Sequence, residues 1–95
     1  MVTIHWSGQA KDDLKDIFDY IASSSLRYAN TTVNKIKERT QILKQNPFTG
    51  KMVQRYQDPN IRELVKDNYL IFYIIIDKEN IAIAAIIHTK RGIRF

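Results

Sequence analysis

The sequence predicts an α+β fold in which a helical hairpin packs on one face of a small antiparallel sheet, in the order β-α-α-β-β-β. Two apolar runs, YLIFYIII and IAIAAIIH, carry the sheet prediction; they are rich in Ile, contain neither Pro nor Gly, and are separated only by the polar residues Asp77 to Asn80. Their lengths favour strands over helices, and the polar break indicates a hairpin loop. Two amphipathic stripes earlier in the chain predict the helices.

A short strand and a first helix are predicted at the N-terminus. Val2, Ile4 and Trp6 alternate with polar residues, which is typical of a strand, and Ser7 is placed to cap a helix. The helix should bury one stripe, formed by Ala10, Leu14, Ile17, Phe18 and Ile21. Off this stripe, Asp12, Asp13 and Asp16 are expected to form a solvated face.

A second helix is predicted from Leu26 to Gln45, after the break at Ser23-Ser24-Ser25. Its buried stripe comprises Ala29, Val33, Ile36, Thr40 and Leu43. Asn46-Pro47 should end it, because the residue before a proline avoids helical angles. The short polar break makes the two helices an antiparallel hairpin.

The sheet is predicted to have an apolar face that the helices do not reach. After a weak strand at 51–56, the run Ile61–Val65 leads through a polar turn into the two long strands, which gives a meander. Both long strands are apolar on both faces, whereas a sheet with one wet face alternates apolar and polar residues. We expect the second face to bind a partner. The alternative is that a curled sheet and the C-terminal tail bury it.

Composition indicates one domain, residues 1–95, with a basic surface. The net charge is +5 and the isoelectric point is about 9.6. Residues 88–95 contain Lys90, Arg91 and Arg94 and no acid, which favours an acidic partner, either nucleic acid or an acidic protein segment. The chain has no Cys, so disulfides and thiol chemistry do not apply. No signal peptide and no membrane span are predicted.

The residues indicate no cofactor and no metal site. His5 and His88 are far apart and no Cys accompanies them, so no recognisable ligand cluster is present. No glycine-rich phosphate loop or nucleophile motif occurs. Most aromatic residues fall in core-like positions, which gives little support to a platform for stacking bases. Strand periodicity places His88 on the same face as Ala82, Ala84 and Ile86.

An ordered set of short motifs resembles the RelE/ParE superfamily of bacterial type II toxin–antitoxin toxins. These motifs are the strand ending in Trp, the helix pattern from Ala10 to Ile21, Asn46-Pro47 with Gly50, Ile61-Arg62-Glu63-Leu64, Tyr69-Leu70-Ile71-Phe72-Tyr73, and Ile87-His88-Thr89-Lys90-Arg91. The resemblance covers nearly the whole chain. It implies a cytoplasmic toxin that a cognate antitoxin neutralises in a hetero-oligomer, with no membrane role.

Within the superfamily, the helix pattern and the ending Ile-His-x-Lys-Arg look closer to ParE-like toxins, which inhibit DNA gyrase, than to RelE-like toxins, which cut mRNA in the ribosome. This chain has Leu70 where many nuclease members have an arginine, and it ends at Phe95 without their terminal tyrosine. Under the nuclease alternative, the catalytic residues would be His88 and Arg91. A further alternative is a degenerate toxin that only binds its antitoxin. The residues expected to contact target or antitoxin are Arg62, Lys66, Lys90, Arg91 and Arg94.

Overall fold

A helical hairpin covers one face of a five-stranded sheet in the computed structural model, which describes residues 1–90. The predicted fold class is confirmed. The elements are β1 (Thr3–Trp6), α1 (Gly8–Ala22), α2 (Leu26–Thr40), β2 (Lys51–Met52), β3 (Ile61–Lys66), β4 (Tyr69–Ile75) and β5 (Asn80–His88), and the strand order is β1-β5-β4-β3-β2. No helix within the described range is long and apolar enough to cross a membrane.

The sheet is mixed rather than wholly antiparallel, because β1 runs parallel to β5. The predicted meander of β3, β4 and β5 is antiparallel throughout, and β2 adds antiparallel to β3. β1, however, pairs with β5 in the same direction, from Thr3 opposite Asn80 to Trp6 opposite Ile83. The helical hairpin carries the chain from the β1 edge to the β2 edge, and the meander then returns it to β1. The first and last strands therefore become neighbours.

Helix α1 begins as predicted, with the Ser7 hydroxyl accepting a hydrogen bond from the Ala10 N–H at 3.0 Å. Its stripe is core, because Ala10 and Ile17 are fully buried and Leu14 is nearly so. The expectation that Asp13 is solvated is wrong, since this residue is only 2% exposed. Asp12 is exposed and Asp16 is half-buried.

Asp13 is buried because it completes the edge of β5. Strand β1 ends opposite Ile83, so the next residues of β5 have no strand on that side. The Ser7 hydroxyl donates to the Ala84 carbonyl at 3.0 Å, and the Asp13 Oδ2 accepts the Ile86 N–H at 2.9 Å. Buried backbone groups need partners, and the start of α1 supplies them where the strand stops.

Helix α2 ends at Thr40, earlier than the predicted Gln45, and continues as a 3-10 turn over Gln41–Lys44. The predicted core residue Leu43 is still fully buried. A 3-10 turn is a common ending for an α-helix, and Leu43 points into the core from within this turn.

A β-bulge in β5 changes which side chains share a face. Phe72 lies opposite Ala85 but the next residue, Tyr73, lies opposite Ile83, so Ala84 is an extra residue. An extra residue in one strand reverses the side-chain alternation that follows it. His88 therefore shares a face with Ile86 and Ile83, on the side of the helices. Its predicted grouping with Ala82 and Ala84 is wrong.

Tyr73 ties the loop after the helices to the centre of the sheet. Its side chain is fully buried, and its hydroxyl donates to the Pro47 carbonyl at 2.7 Å and accepts the Gly50 N–H at 2.9 Å. A Cβ at Gly50 would lie 2.5 Å from the Glu63 carbonyl oxygen, so only glycine allows this approach. The weak strand predicted at 51–56 is shorter in the structure, where a 3-10 turn follows Met52 and Val53.

Candidate functional site

The structure separates Arg62 from Lys66 and places Lys66 at the same end of the sheet as His88 and Lys90. Arg62 and Lys66 lie at opposite ends of β3, about 13 Å apart along the strand. Lys90 is exposed in the turn after β5. Arg91 and Arg94 lie outside the described residues.

Arg62 holds two loops together. Its Nε donates to the Pro59 carbonyl at 2.7 Å and its Nη1 donates to the Gly50 carbonyl at 2.8 Å. The guanidinium also lies 4.7 Å from the centre of the Phe48 ring, within the range of a cation–π contact. These contacts give Arg62 a structural role on the helix-facing side of the sheet, so a partner would have to compete with them.

His88 closes the end of β5 beside Tyr69. The two rings meet edge to face, with centroids 5.2 Å apart. The His88 Nδ1 accepts the Lys90 N–H at 3.2 Å, which leaves the proton of the neutral ring on Nε2. Burial raises the pKa of the Tyr69 hydroxyl above its usual value, with smaller contributions from Tyr28 and Asp67. The proximity of Tyr69 to His88 was not predicted because it depends on the bulge.

His88 and Leu70 face opposite sides of the sheet. Leu70 pairs with Ile87, and His88 pairs with Tyr69, on the helix side. The sheet therefore lies between the His88 imidazole and the Leu70 side chain.

The first open surface is a groove between the helical hairpin and β1, called here the lysine groove. It has a volume of about 550 Å³ and an apolar floor of Trp6, Leu14, Phe18 and Val33, with Lys11, Lys15 and Lys37 at its rim. β1 is an edge strand of the sheet. Lys15 binds Asp19 at 2.8 Å, and this hydrogen bond raises the pKa of Lys15. An apolar floor with a cationic rim suits an amphipathic acidic segment.

The second open surface is the face of the sheet that the helices do not cover. Val65 and Ile74 on this face are 52% and 39% exposed. Ile74 also lines a hollow of about 370 Å³, together with Ile61, Phe72 and Ile87, among others. The predicted apolar surface without helical cover is thus present in the described part of the chain; that it binds a partner stays a prediction.

The third is a cleft beside the turn that joins the two helices, called here the tyrosine cleft. It has a volume of about 550 Å³, and its walls include Tyr20, Tyr28, Lys35, Tyr69 and His88. Tyr20 and Tyr28 are 58% and 62% exposed, so the expectation that the aromatic residues are mostly core fails at these two positions.

Sequence reasoning missed the lysine groove and the tyrosine cleft, although both had a signal. Lys11 and Lys15 are four residues apart and flank Leu14, so a helix places them on the border of the buried stripe. Tyr20 and Tyr28 lie directly outside the two helical stripes. Large aromatic residues off a stripe are exposed unless another element covers them.

The helical hairpin on one face of a mixed five-stranded sheet is consistent with the fold of the RelE/ParE-like toxins. A family model described as "ParE toxin of type II toxin-antitoxin system, parDE" matches residues 4–93, and the chain belongs to this family. Among solved structures, it is similar to a chain of the "Chromosomal ParDE TA system from P. aeruginosa", with a TM-score of 0.74 and 23% identity over 93% of this chain and 96% of that one. At this identity the similarity shows the fold. The search of curated proteins returned no match.

Proposed function

We propose that this toxin acts in the cytoplasm by binding and inhibiting DNA gyrase, and that a cognate antitoxin neutralises it by occupying the lysine groove. Family membership over residues 4–93 supports the toxin assignment. The observation that favours binding over RNA cleavage is the placement of His88 and Leu70 on opposite faces of the sheet.

RNA cleavage by attack of the 2′-hydroxyl needs a base, an acid and cations around one phosphate. The His88 ring packs against Tyr69 and its Nδ1 accepts a backbone N–H, so these contacts already hold the imidazole within the fold. On the opposite face, the position that carries a phosphate-binding arginine in nuclease relatives is Leu70. The ribosome-dependent nuclease, with His88 and Arg91 as catalytic residues, is therefore the second candidate.

The lysine groove suits the antitoxin because its charge and shape match an acidic amphipathic helix. Apolar side chains of such a helix would contact Trp6 and Phe18, and its carboxylates would face Lys11 and Lys37 across the rim. Exposed ion pairs contribute about 0.2–1 kcal/mol each. The apolar floor of the groove would therefore supply most of the affinity for the antitoxin, and the lysines would supply the selectivity for an acidic partner.

Gyrase supercoiling of relaxed plasmid in the presence of purified toxin tests the proposed target. We expect the wild type and His88→Ala to inhibit supercoiling equally, because His88 has no chemical role under this proposal. Ribosome-bound mRNA should stay intact. Loss of toxicity in His88→Ala with a retained fold, together with cleaved mRNA, would establish the nuclease instead. Failure of the wild type to act on either target would leave the degenerate toxin.

The only tryptophan in the chain, Trp6, lies in the lysine groove, so its fluorescence reports the proposed antitoxin contact directly. We expect the antitoxin to shift Trp6 emission to shorter wavelength. Lys11→Glu/Lys37→Glu should weaken binding roughly tenfold or more. Lys44→Glu/Lys78→Glu changes the net charge equally at exposed positions outside the groove and is the control. Equal weakening in both variants would contradict the groove as the contact.

A further inference from the structure

The tyrosine cleft combines exposed aromatic rings with a row of cations. Tyr20 lies in the last turn of α1 and Tyr28 in the first turn of α2, so the two tyrosines flank the turn between the helices. Lys35 lines this cleft and also lines a neighbouring cavity of about 280 Å³ that contains Arg39 and Lys66. The rings and the three cations therefore form one continuous surface.

The charge of this surface is positive. Asp67 lies in the cleft and Glu38 in the neighbouring cavity, so the cations outnumber the acids by three to two. Arg39 is fixed in place, because its Nε donates to the Val65 carbonyl at 3.0 Å. Lys66 pairs with Tyr69 across β3 and β4, which places a cation beside the buried ring of the cleft.

Exposed rings beside cations are the features with which proteins bind single-stranded nucleic acid. Bases stack on aromatic side chains, and lysine and arginine neutralise the phosphates. A volume of about 550 Å³ lies within the ordinary range of ligand sites. A duplex keeps its bases paired and stacked inside, so it cannot use the tyrosine rings in this way.

We propose that the tyrosine cleft binds a short segment of single-stranded DNA, with bases on Tyr20 and Tyr28 and phosphates on Lys35, Arg39 and Lys66. DNA is chosen over RNA because the proposed target is an enzyme that holds DNA, so this inference rests on the proposed function. The contact is one of binding and involves no bond cleavage.

The tyrosine cleft and the lysine groove lie on different sides of α2. Val33 and Lys37 line the groove, whereas Lys35 and Arg39 line the cationic surface. Each pair is four residues apart, and the pairs are offset by two residues, which is about 200° around a helix. DNA in the cleft would therefore leave the groove accessible to an antitoxin.

Fluorescence anisotropy with a labelled oligothymidylate, without gyrase, tests the proposal. Three phosphate contacts on a single strand predict a slope of about −2 for log affinity against log salt, so raising salt from about 50 to 200 mM should weaken binding roughly fifteenfold. Lys35→Glu/Lys66→Glu should abolish most of this slope. Lys44→Glu/Lys78→Glu, with the same change in net charge, should keep it.

Two substitutions of Tyr28 test whether bases stack on its ring. Tyr28→Ala should weaken binding at least about fivefold, whereas Tyr28→Phe keeps the ring and should bind as the wild type does. Tyr28 is 62% exposed, so neither change disturbs the core. Circular dichroism of each variant confirms that the fold is retained.

Three outcomes would overturn the inference: no binding of oligothymidylate at low salt, equal loss in both charge-reversal pairs, or tenfold tighter binding of duplex DNA or of an RNA of the same length.

The supercoiling assay separates this result from the proposed function. If Lys35→Glu/Lys66→Glu loses DNA binding but still inhibits gyrase, gyrase inhibition stands and the cleft's role in it is refuted. If the wild type binds DNA but leaves gyrase active, the cleft stands and the target is wrong.

Discussion

Replacing Asp13 by Ala should destabilise the fold strongly, although Asp13 lies among aspartates that look like a solvated helix face. The carboxylate is 2% exposed, and its Oδ2 accepts the buried Ile86 N–H at 2.9 Å. Its Oδ1 accepts from the Gln9 amide at 2.8 Å. Alanine leaves the Ile86 N–H without this acceptor in the core. We expect the free energy of unfolding to fall by about 1.5–3 kcal/mol, the range for hydrogen bonds to charged groups.

For a domain of this length, a loss of about 2 kcal/mol corresponds to a fall of about 8–16 °C in the midpoint of thermal unfolding. Circular dichroism measures this midpoint, and urea unfolding gives the free energy. Asp13→Asn is the matched variant, because its amide oxygen can still accept the Ile86 N–H and the loss should be smaller. Asp12→Ala, one residue away and exposed, is the control. Equal midpoints for Asp13→Ala and Asp12→Ala would refute the reasoning.

Three further predictions concern the loops and their pH dependence. Gly50→Ala should lower the free energy of unfolding by about 1–3 kcal/mol in urea, because its Cβ would lie 2.5 Å from the Glu63 carbonyl oxygen; Gly8→Ala, with nothing within 4 Å, is the control. Burial raises the pKa of Tyr73 above 10.0, so the stability that its neutral hydroxyl contributes is present below pH 10 and is lost as the pH rises further. Tyr73→Phe should therefore reduce the fall in the free energy of unfolding at alkaline pH. The same fall in the variant and the wild type would contradict this prediction. Hydrogen bonds, chiefly from the Glu79 N–H, lower the pKa of Asp77 below 3.8, so the stability that its carboxylate contributes to the fold is present above pH 3.8 and is lost in stronger acid. When Asp77→Ala is titrated with acid, its free energy of unfolding should fall less than that of the wild type.

The helices and the meander were predictable because their signals are local. Ala10, Leu14 and Ile17 repeat at helical spacing, and the long apolar strands are bounded by polar turns. The parallel pairing of β1 and the burial of Asp13 could not be predicted in this way. Both depend on where β1 ends beside β5, which is a contact between residues more than 70 positions apart.

The surroundings of His88 were less predictable than the fold, because one extra residue in β5 decides them. Without the bulge at Ala84, alternation along β5 would group His88 with Ala82, as the sequence suggests. The bulge turns His88 towards the helices and beside Tyr69. A β-bulge has no reliable sequence signal in a run such as IAIAAIIH. The hydrogen bonds of Arg62 go to loop carbonyls, whose positions no side-chain pattern encodes.

The pairing of β1 with β5 has a consequence for synthesis on the ribosome. Residues 3–6 are made long before their strand partner, residues 80–83. Long-range pairing of this kind forms late because the connecting chain must be ordered first. Strand β5 also supplies the backbone groups that Ser7 and Asp13 bind. A nascent chain that stops before Asn80 therefore lacks the strand with which β1 pairs, and this domain cannot complete its fold until β5 has been made.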